Sequence, residues 1–225
     1  MATKAAYHHG NLKAALITAA LRELAHEGPE GISLRGVARR AGVSAPAVYR
    51  HFEDKEDLLG AVAAECADRL ADAMVAAVAA APADPLEKFR AVGVALVRFA
   101  VAHPEHFRAL SMPGLADKTP PEQRAKQQAW ERAQMQGLAA AQAAGMIAAF
   151  PLDALMLAAN STIMGLAHAI IEGRLGEVDD ARATELAIAV TGVLGHGLMP
   201  RETPVTDPRK PDCEPTPPRP RPRKR

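Results

Sequence analysis

Apolar residues recur along this chain at intervals of three and four, the spacing that places them on one face of a helix. Leu12, Leu16, Leu21 and Leu24 mark the first such face, in a helix expected from about Asn11 to Glu27, and Gly28-Pro29-Glu30-Gly31 is expected to end it. Asp54 stands where a long helix from Lys55 to about Ala81 needs a cap, and Leu59, Val62, Cys66, Leu70 and Met74 form its inward stripe. Pro82 to Pro85 breaks that helix. The next, Leu86 to Ala102, carries Leu86, Phe89, Val92, Leu96 and Phe99, and Pro104 to Leu110 forms a short one. Pro113 to Pro121 reads as a mobile loop. Glu122 to Gly145 resumes a polar, then alanine-rich helix that holds the only tryptophan, Trp130. Helices from about Leu152 to Gly173 and Ala181 to Leu198 follow. With the two short helices described next, the pattern predicts an all-α fold of about nine helices and no convincing strand.

The densest local information lies between Ile32 and Lys55. Ser33 supplies a capping oxygen, and Leu34, Val37 and Ala38 follow at the spacing of one buried face. Gly42 can take the left-handed conformation that ends this helix, while Val43 tucks back beneath the turn. Ser44 caps a second helix, expected to run to His51, with Ala45 and Pro46 in its first turn and Val48 facing inward. A small residue, a turn glycine and two apolar locks are the skeleton of a helix-turn-helix.

Ile32 to Lys55 resembles the DNA-binding domain of TetR-family transcriptional regulators. The resemblance rests on Ala41-Gly42-Val43-Ser44 followed by Tyr49, His51, Phe52 and Lys55, and the opening Tyr7-His8-His9-Gly10-Asn11-Leu12 is similar to that of one subgroup. It implies a three-helix DNA-reading domain over 1–55 and a helical effector-binding and dimerisation domain over 56–199. It further implies a homodimer through a four-helix bundle of 152–173 and 181–198, double-stranded operator DNA as partner, and repression. Tyr49 and His51 match positions that hold the phosphate backbone, and Lys55 matches a phosphate-binding lysine. Phe52 is expected in the core. Gly165, Gly192, Gly195 and Gly197 suit close backbone approach in such a bundle.

Composition narrows the picture further. The chain of 225 residues is 48% hydrophobic and 24% charged, as expected of a globular protein, and only 4% aromatic. No unbroken apolar run approaches the about 20 residues of a membrane span, and no signal-peptide core is visible, so a cytoplasmic protein without a membrane partner is expected. Cys66 and Cys213 are the only cysteines, so reduced thiols are expected rather than a disulfide framework or metal site. From Pro200 to Arg225 proline alternates with arginine and lysine; this segment is expected to be disordered, either as a solubilising tail or as a nonspecific attraction for DNA.

A net charge of +1 does not identify a partner, but residues 1–55 carry eight basic against five acidic side chains, a local +3. Arg22 and Arg39 are equally well explained as solvated helix-face cations. Arg35, Arg50 and Lys55 lie at or beside helix starts, where backbone amides can join them in gripping phosphate. With the second helix in a major groove, Ala45, Pro46 and Ala47 offer only apolar contact, for example to thymine methyls, leaving Ser44, Tyr49 and Arg50 as polar readers. The candidate DNA-contacting set is therefore Ser33, Arg35, Ser44, Ala45, Pro46, Tyr49, Arg50, His51 and Lys55. His8 and His9 offer a further contact through an N-terminal arm.

Phe89, Leu96, Phe99, Phe107, Met112, Trp130, Met156 and Met164 are candidates for an effector cavity, with Asn160 or His168 orienting a small apolar or amphipathic ligand. Residues of each of these types are more often simply core. No cofactor or metal site is expected. An enzyme reading finds no Gly-x-Ser-x-Gly elbow, phosphate loop or His-Glu-x-x-His. A DNA-binding regulator or architectural protein without an effector shares the same N-terminal features.

Overall fold

The structure, a computed structural model, describes residues 12–198. The arm with His8 and His9, and the segment from Pro200 with Cys213, lie outside the described residues. Nine α-helices account for the described fold, with no strand among those residues. They are α1 (Leu12–Gly31), α2 (Leu34–Ala41), α3 (Ala45–Tyr49), α4 (Lys55–Ala80), α5 (Pro85–Ala102), α6 (Pro104–Leu110), α7 (Pro121–Ala143), α8 (Leu152–Ile171) and α9 (Asp180–Leu198).

Local chemistry sets the boundaries. Gly28 at φ 69°, followed by Pro29, kinks α1, and one helical turn continues beyond the kink. Ser33 Oγ accepts from Gly36 N at 3.1 Å, and Asp54 Oδ1 accepts from Asp57 N at 2.9 Å to start α4. Asp84 takes both Leu86 N and Glu87 N at the start of α5. Gly42, at φ 69° and ψ 28°, closes α2, with Val43 N donating to Ala38 O at 3.0 Å. The second helix of the motif is shorter than expected: α3 stops at Tyr49, and His51 N and Phe52 N both turn back to Val48 O.

Two apolar cores share α4. The first gathers Leu16, Leu24, Val37, Val48, Phe52 and Val62, all almost fully buried. Cys66 is buried in the same core, and burial pushes the thiol up to about 12, with neighbouring Glu65 adding to the shift. The second core surrounds α5, which packs most extensively on α9, α4 and α8, and contains Val97, Phe99, Phe107, Ile163 and Ala167. Leu138, Ala141, Ile147 and Leu155 form a smaller cluster under α7.

Two expectations change. Pro113 to Pro121 is anchored: Leu115 is buried in the first core, Ala116–Lys118 forms a 3₁₀ turn, and Lys118 pairs with Glu56 on α4. The sequence reading missed this because a single buried leucine in a short segment has no period. By length and composition α8 is apolar enough to cross a membrane, with 20 residues at mean hydropathy 1.6. Polar residues such as Asn160 and Thr162 interrupt its run, but the average over the helix stays high. Its inward stripe, Leu155, Ala159, Ile163, Ala167 and Ile170, is buried within the bundle.

Candidate nucleic-acid interface and internal cavity

The helix-turn-helix is held rigidly from behind. Val48 and Phe52 fix α3 to the first core, and Arg40 on α2 pairs with Glu23, a buried carboxylate on α1. Glu23 also lies over Gly36, where an added Cβ would stand 2.6 Å from Oε1. Two of the charges in the N-terminal balance therefore neutralise each other.

On the opposite side α3 is bare. Ser44, Pro46, Arg50 and His51 are exposed, and Tyr49 is 52% exposed despite its aromatic ring. Ala45 is half-buried against the first core. Ser44 makes no side-chain capping bond, so its hydroxyl remains available to a base or phosphate. Arg35 is exposed on the first turn of α2, while Ser33 spends its oxygen on the cap. Lys55 Nζ donates to Glu30 O at 2.7 Å, tying the start of α4 to the last turn of α1 beyond its kink. An ammonium group has further donors, so this bond leaves Lys55 able to meet a phosphate. The arrangement presents a hydroxyl, a phenol, a guanidinium and an imidazole beside an apolar helix tip.

A cavity of about 790 Å³ with a mostly apolar wall lies among α4, α5, α7, α8 and α9. This is in the range of small-molecule sites, roughly 300–1,000 Å³. Of the residues proposed for it, Phe89, Leu96, Trp130, Met156, Asn160 and Met164 line the wall. Phe99 and Phe107 lie instead in the second core, Met112 packs on the first, and the His168 ring meets the Phe107 ring edge-on, centroids 5.1 Å apart, near Glu172. The wall is completed by Leu70 and Met74 of α4, Leu110 of α6 and Thr191 of α9. Gln123, buried at the start of α7, donates to Asp68 Oδ1 on α4 at 2.7 Å.

Arg90 was not anticipated. Its Nη1 contacts both oxygens of Glu87, at 2.8 and 3.1 Å, and its Nε is the one buried side-chain polar atom without a partner among the described residues. The signal lay in its register: Arg90 shares a helix face with Leu86 and Val97, an inward position for a charged side chain. Beyond the cavity, the rings of His103 and His106 meet edge-to-face, centroids 5.6 Å apart. Burial, then Arg69 and His103, holds His106 below the usual imidazole value.

Residues 16–62 match the family profile of bacterial regulatory proteins, tetR family, and residues 89–191 match the Tetracyclin repressor-like C-terminal domain. The chain belongs to the TetR family. Among solved structures, a protein of unknown function from Rhodococcus sp. RHA1 is 31% identical, with TM-score 0.68 over 88% of this chain and 100% of that one. A TetR family transcription regulator from Marinobacter aquaeolei VT8 is 25% identical, with TM-score 0.67 over 81% of this chain and 94% of that one. The fatty acid degradation regulator FadR from Bacillus halodurans shares the fold at 18% identity, with TM-score 0.66 over 84% and 96%. No curated protein matches the chain. As a TetR-family member this protein has the fold of a DNA-binding transcription regulator, and the family dimerises on operator DNA. The match to the N-terminal profile spans α2, α3 and the start of α4, the elements that carry the exposed polar tip.

Proposed function

We propose that this protein is a dimeric, effector-responsive repressor that binds a roughly palindromic operator and is released from it by a small molecule. The observation that carries the reading is the sharing of α4: its first half is buried in the core behind the reading helix, and its second half walls the cavity. A ligand that displaces Leu70 or Met74 acts on the same helix that carries Leu58 and Val62 beneath α3. Two reading heads must keep a fixed separation to engage two half-sites, so a tilt of α4 lowers affinity. The coupling is reciprocal, and operator DNA weakens ligand binding by the same factor.

Dimerisation is assigned to 152–173 and 181–198. Leu157 is 69% exposed, Val193 75% and Ile188 48%, an apolar face that a partner copy would cover. A Cβ added at Gly165 meets nothing within 4 Å, leaving room for a second backbone. The direct contacts to DNA are assigned to Ser44, Tyr49, Arg50, His51 and Lys55, with Arg35 on phosphate.

Selection of bound fragments from a random DNA pool tests the reading, with a Tyr49→Ala, Lys55→Ala double variant alongside. A two-fold symmetric motif lost in the variant is the expected result. Absence of any enriched sequence would defeat operator binding, and a ligand that fills the cavity without changing affinity for the selected motif would defeat the release mechanism.

A further inference from the structure

Lys13, in the first turn of α1, is a cation on the inward side of its helix. Leu16, Ile17, Ala20 and Leu24 follow it at the spacing of one face, and all four are buried in the first core. Arg22, the other cation in this part of α1, is turned half a revolution away and faces solvent. Lys13 is nevertheless exposed, and its ammonium stands 5.8 Å from the centroid of the Phe52 ring. Phe52 follows His51 directly, so the inward register carries this charge over the edge of the core to the exposed end of α3, where Tyr49, Arg50 and His51 lie. The carboxylates after Phe52 do not take it. Asp54 accepts from Asp57 N, Asp57 accepts from Glu53 N, and Lys13 has no ion pair among the described residues.

Lys13 and Lys55 leave the corner between α3 and α4 in opposite directions. Lys55 Nζ is bound at Glu30 O, so the two ammonium groups are separated by most of α1, whose 20 residues span roughly 30 Å. They are too far apart to share one phosphate. A helix lying in a major groove about 12 Å wide has a phosphate strand on each side. We propose, resting on the operator reading above, that Lys13 is a further DNA contact, its ammonium binding a backbone phosphate separate from the one met by Lys55, on the other flank of the reading helix. The Phe52 ring holds the ammonium in place before DNA arrives, which limits the side-chain entropy lost on binding. Such a contact adds affinity and fixes the docking of the head, and it reads no base.

The test uses full-length protein, the selected operator and two variants: Lys13→Met, which keeps an apolar stem and loses the charge, and Lys13→Arg, which keeps the charge. Affinity is measured by fluorescence anisotropy from about 0.05 to 0.2 M salt, where counterion release reports phosphate contacts. One contact per subunit predicts that the slope of log affinity against log salt becomes shallower by about 1.8 in the Lys13→Met dimer, about 0.9 for each phosphate. Lys13→Arg is expected to keep the original slope, and all three proteins to select the same motif. Replacing single operator phosphates by neutral methylphosphonates is expected to find one position per half-site that weakens the unaltered protein but not Lys13→Met. That position is expected to differ from the one to which Lys55→Ala is insensitive. Circular dichroism and urea unfolding check the fold of each variant. An unchanged slope in folded Lys13→Met, with or without a lower unfolding midpoint, overturns the contact and leaves Lys13 as a cover for Phe52. A changed motif overturns it in favour of a base contact, and coincidence of the two methylphosphonate positions overturns the separate phosphate. If the unaltered protein selects no motif, the operator reading falls first. Equal slopes for protein and variant on a mixed-sequence duplex, or no binding to it, then overturn the Lys13 contact as well.

Discussion

Arg40 on α2 pairs through its Nε with the carboxylate of Glu23 on α1, whose side chain is only 9% exposed. The pair links the helix that precedes the reading motif to the helix that supports it. Removing Arg40 leaves a carboxylate that water barely reaches, and such groups are costly without a partner. Arg40→Met is expected to destabilise the protein by about 1–2 kcal/mol, less than a fully enclosed pair because the guanidinium is partly solvated. Urea unfolding checks this, and an unchanged midpoint would assign the pair no stabilising role.

Gly42 closes α2 at φ 69°, a conformation in which a Cβ crowds the backbone even though nothing else lies within 4 Å. Gly42→Ala is expected to cost roughly 1–2 kcal/mol through this strain alone. Gly42→Asn should cost less, because asparagine tolerates the left-handed region. Thermal unfolding of the two variants distinguishes backbone strain from crowding by the added side chain, which predicts the reverse order by size.

Tyr49 and Phe52 stand three residues apart and should behave oppositely. Tyr49 is half exposed, so Tyr49→Ala is expected to leave stability within about 0.5 kcal/mol while weakening operator affinity. Phe52 is 1% exposed, and Phe52→Ala is expected to destabilise by about 3–5 kcal/mol. Unfolding and fluorescence anisotropy on the selected operator measure the two effects separately; loss of stability in the tyrosine variant would remove its assignment to DNA.

His106 gives the fold a pH dependence of defined sign. Its folded value lies below the ordinary 6.5, so between the two the unfolded chain binds more protons. Stability from this group is intact above pH 6.5 and falls as the pH drops from there through the lowered folded value. Burial, then Arg69 and His103, opposes the proton, and Glu65 and Glu105 favour it less strongly. His106→Gln is expected to flatten the acid limb of a stability-pH curve over that window. A steeper limb in the variant would reverse the assignment.

Much of this architecture was legible because its cues are local. Ser33, Gly42 and Asp54 act within one turn of their own positions, so the ends of α2 and the start of α4 follow from residue type. The cavity was only half legible. Phe89, Leu96 and Phe99 share one apolar helix, but each step of one residue rotates a side chain by about 100°, and Phe99 turns toward α6 instead of the cavity. Which face meets empty space depends on how five helices are placed, which no single period encodes. Arg90 was legible in part: its register with Leu86 and Val97 marks an inward face, but only the packed structure withdraws its Nε.

Ala109 and Leu115 complete the core under the reading head, although both come after α5 in the chain. The head is thus a socket, and the end of α6 with its 3₁₀ turn is the plug. A fragment cut after α4 would carry an open apolar hollow where those two side chains belong. Exchange of heads between related regulators faces the same constraint, whether by recombination in a genome or in chimeras built for new operators. The transferable module is discontinuous, and a hybrid that keeps one parent's socket must take the matching plug with it.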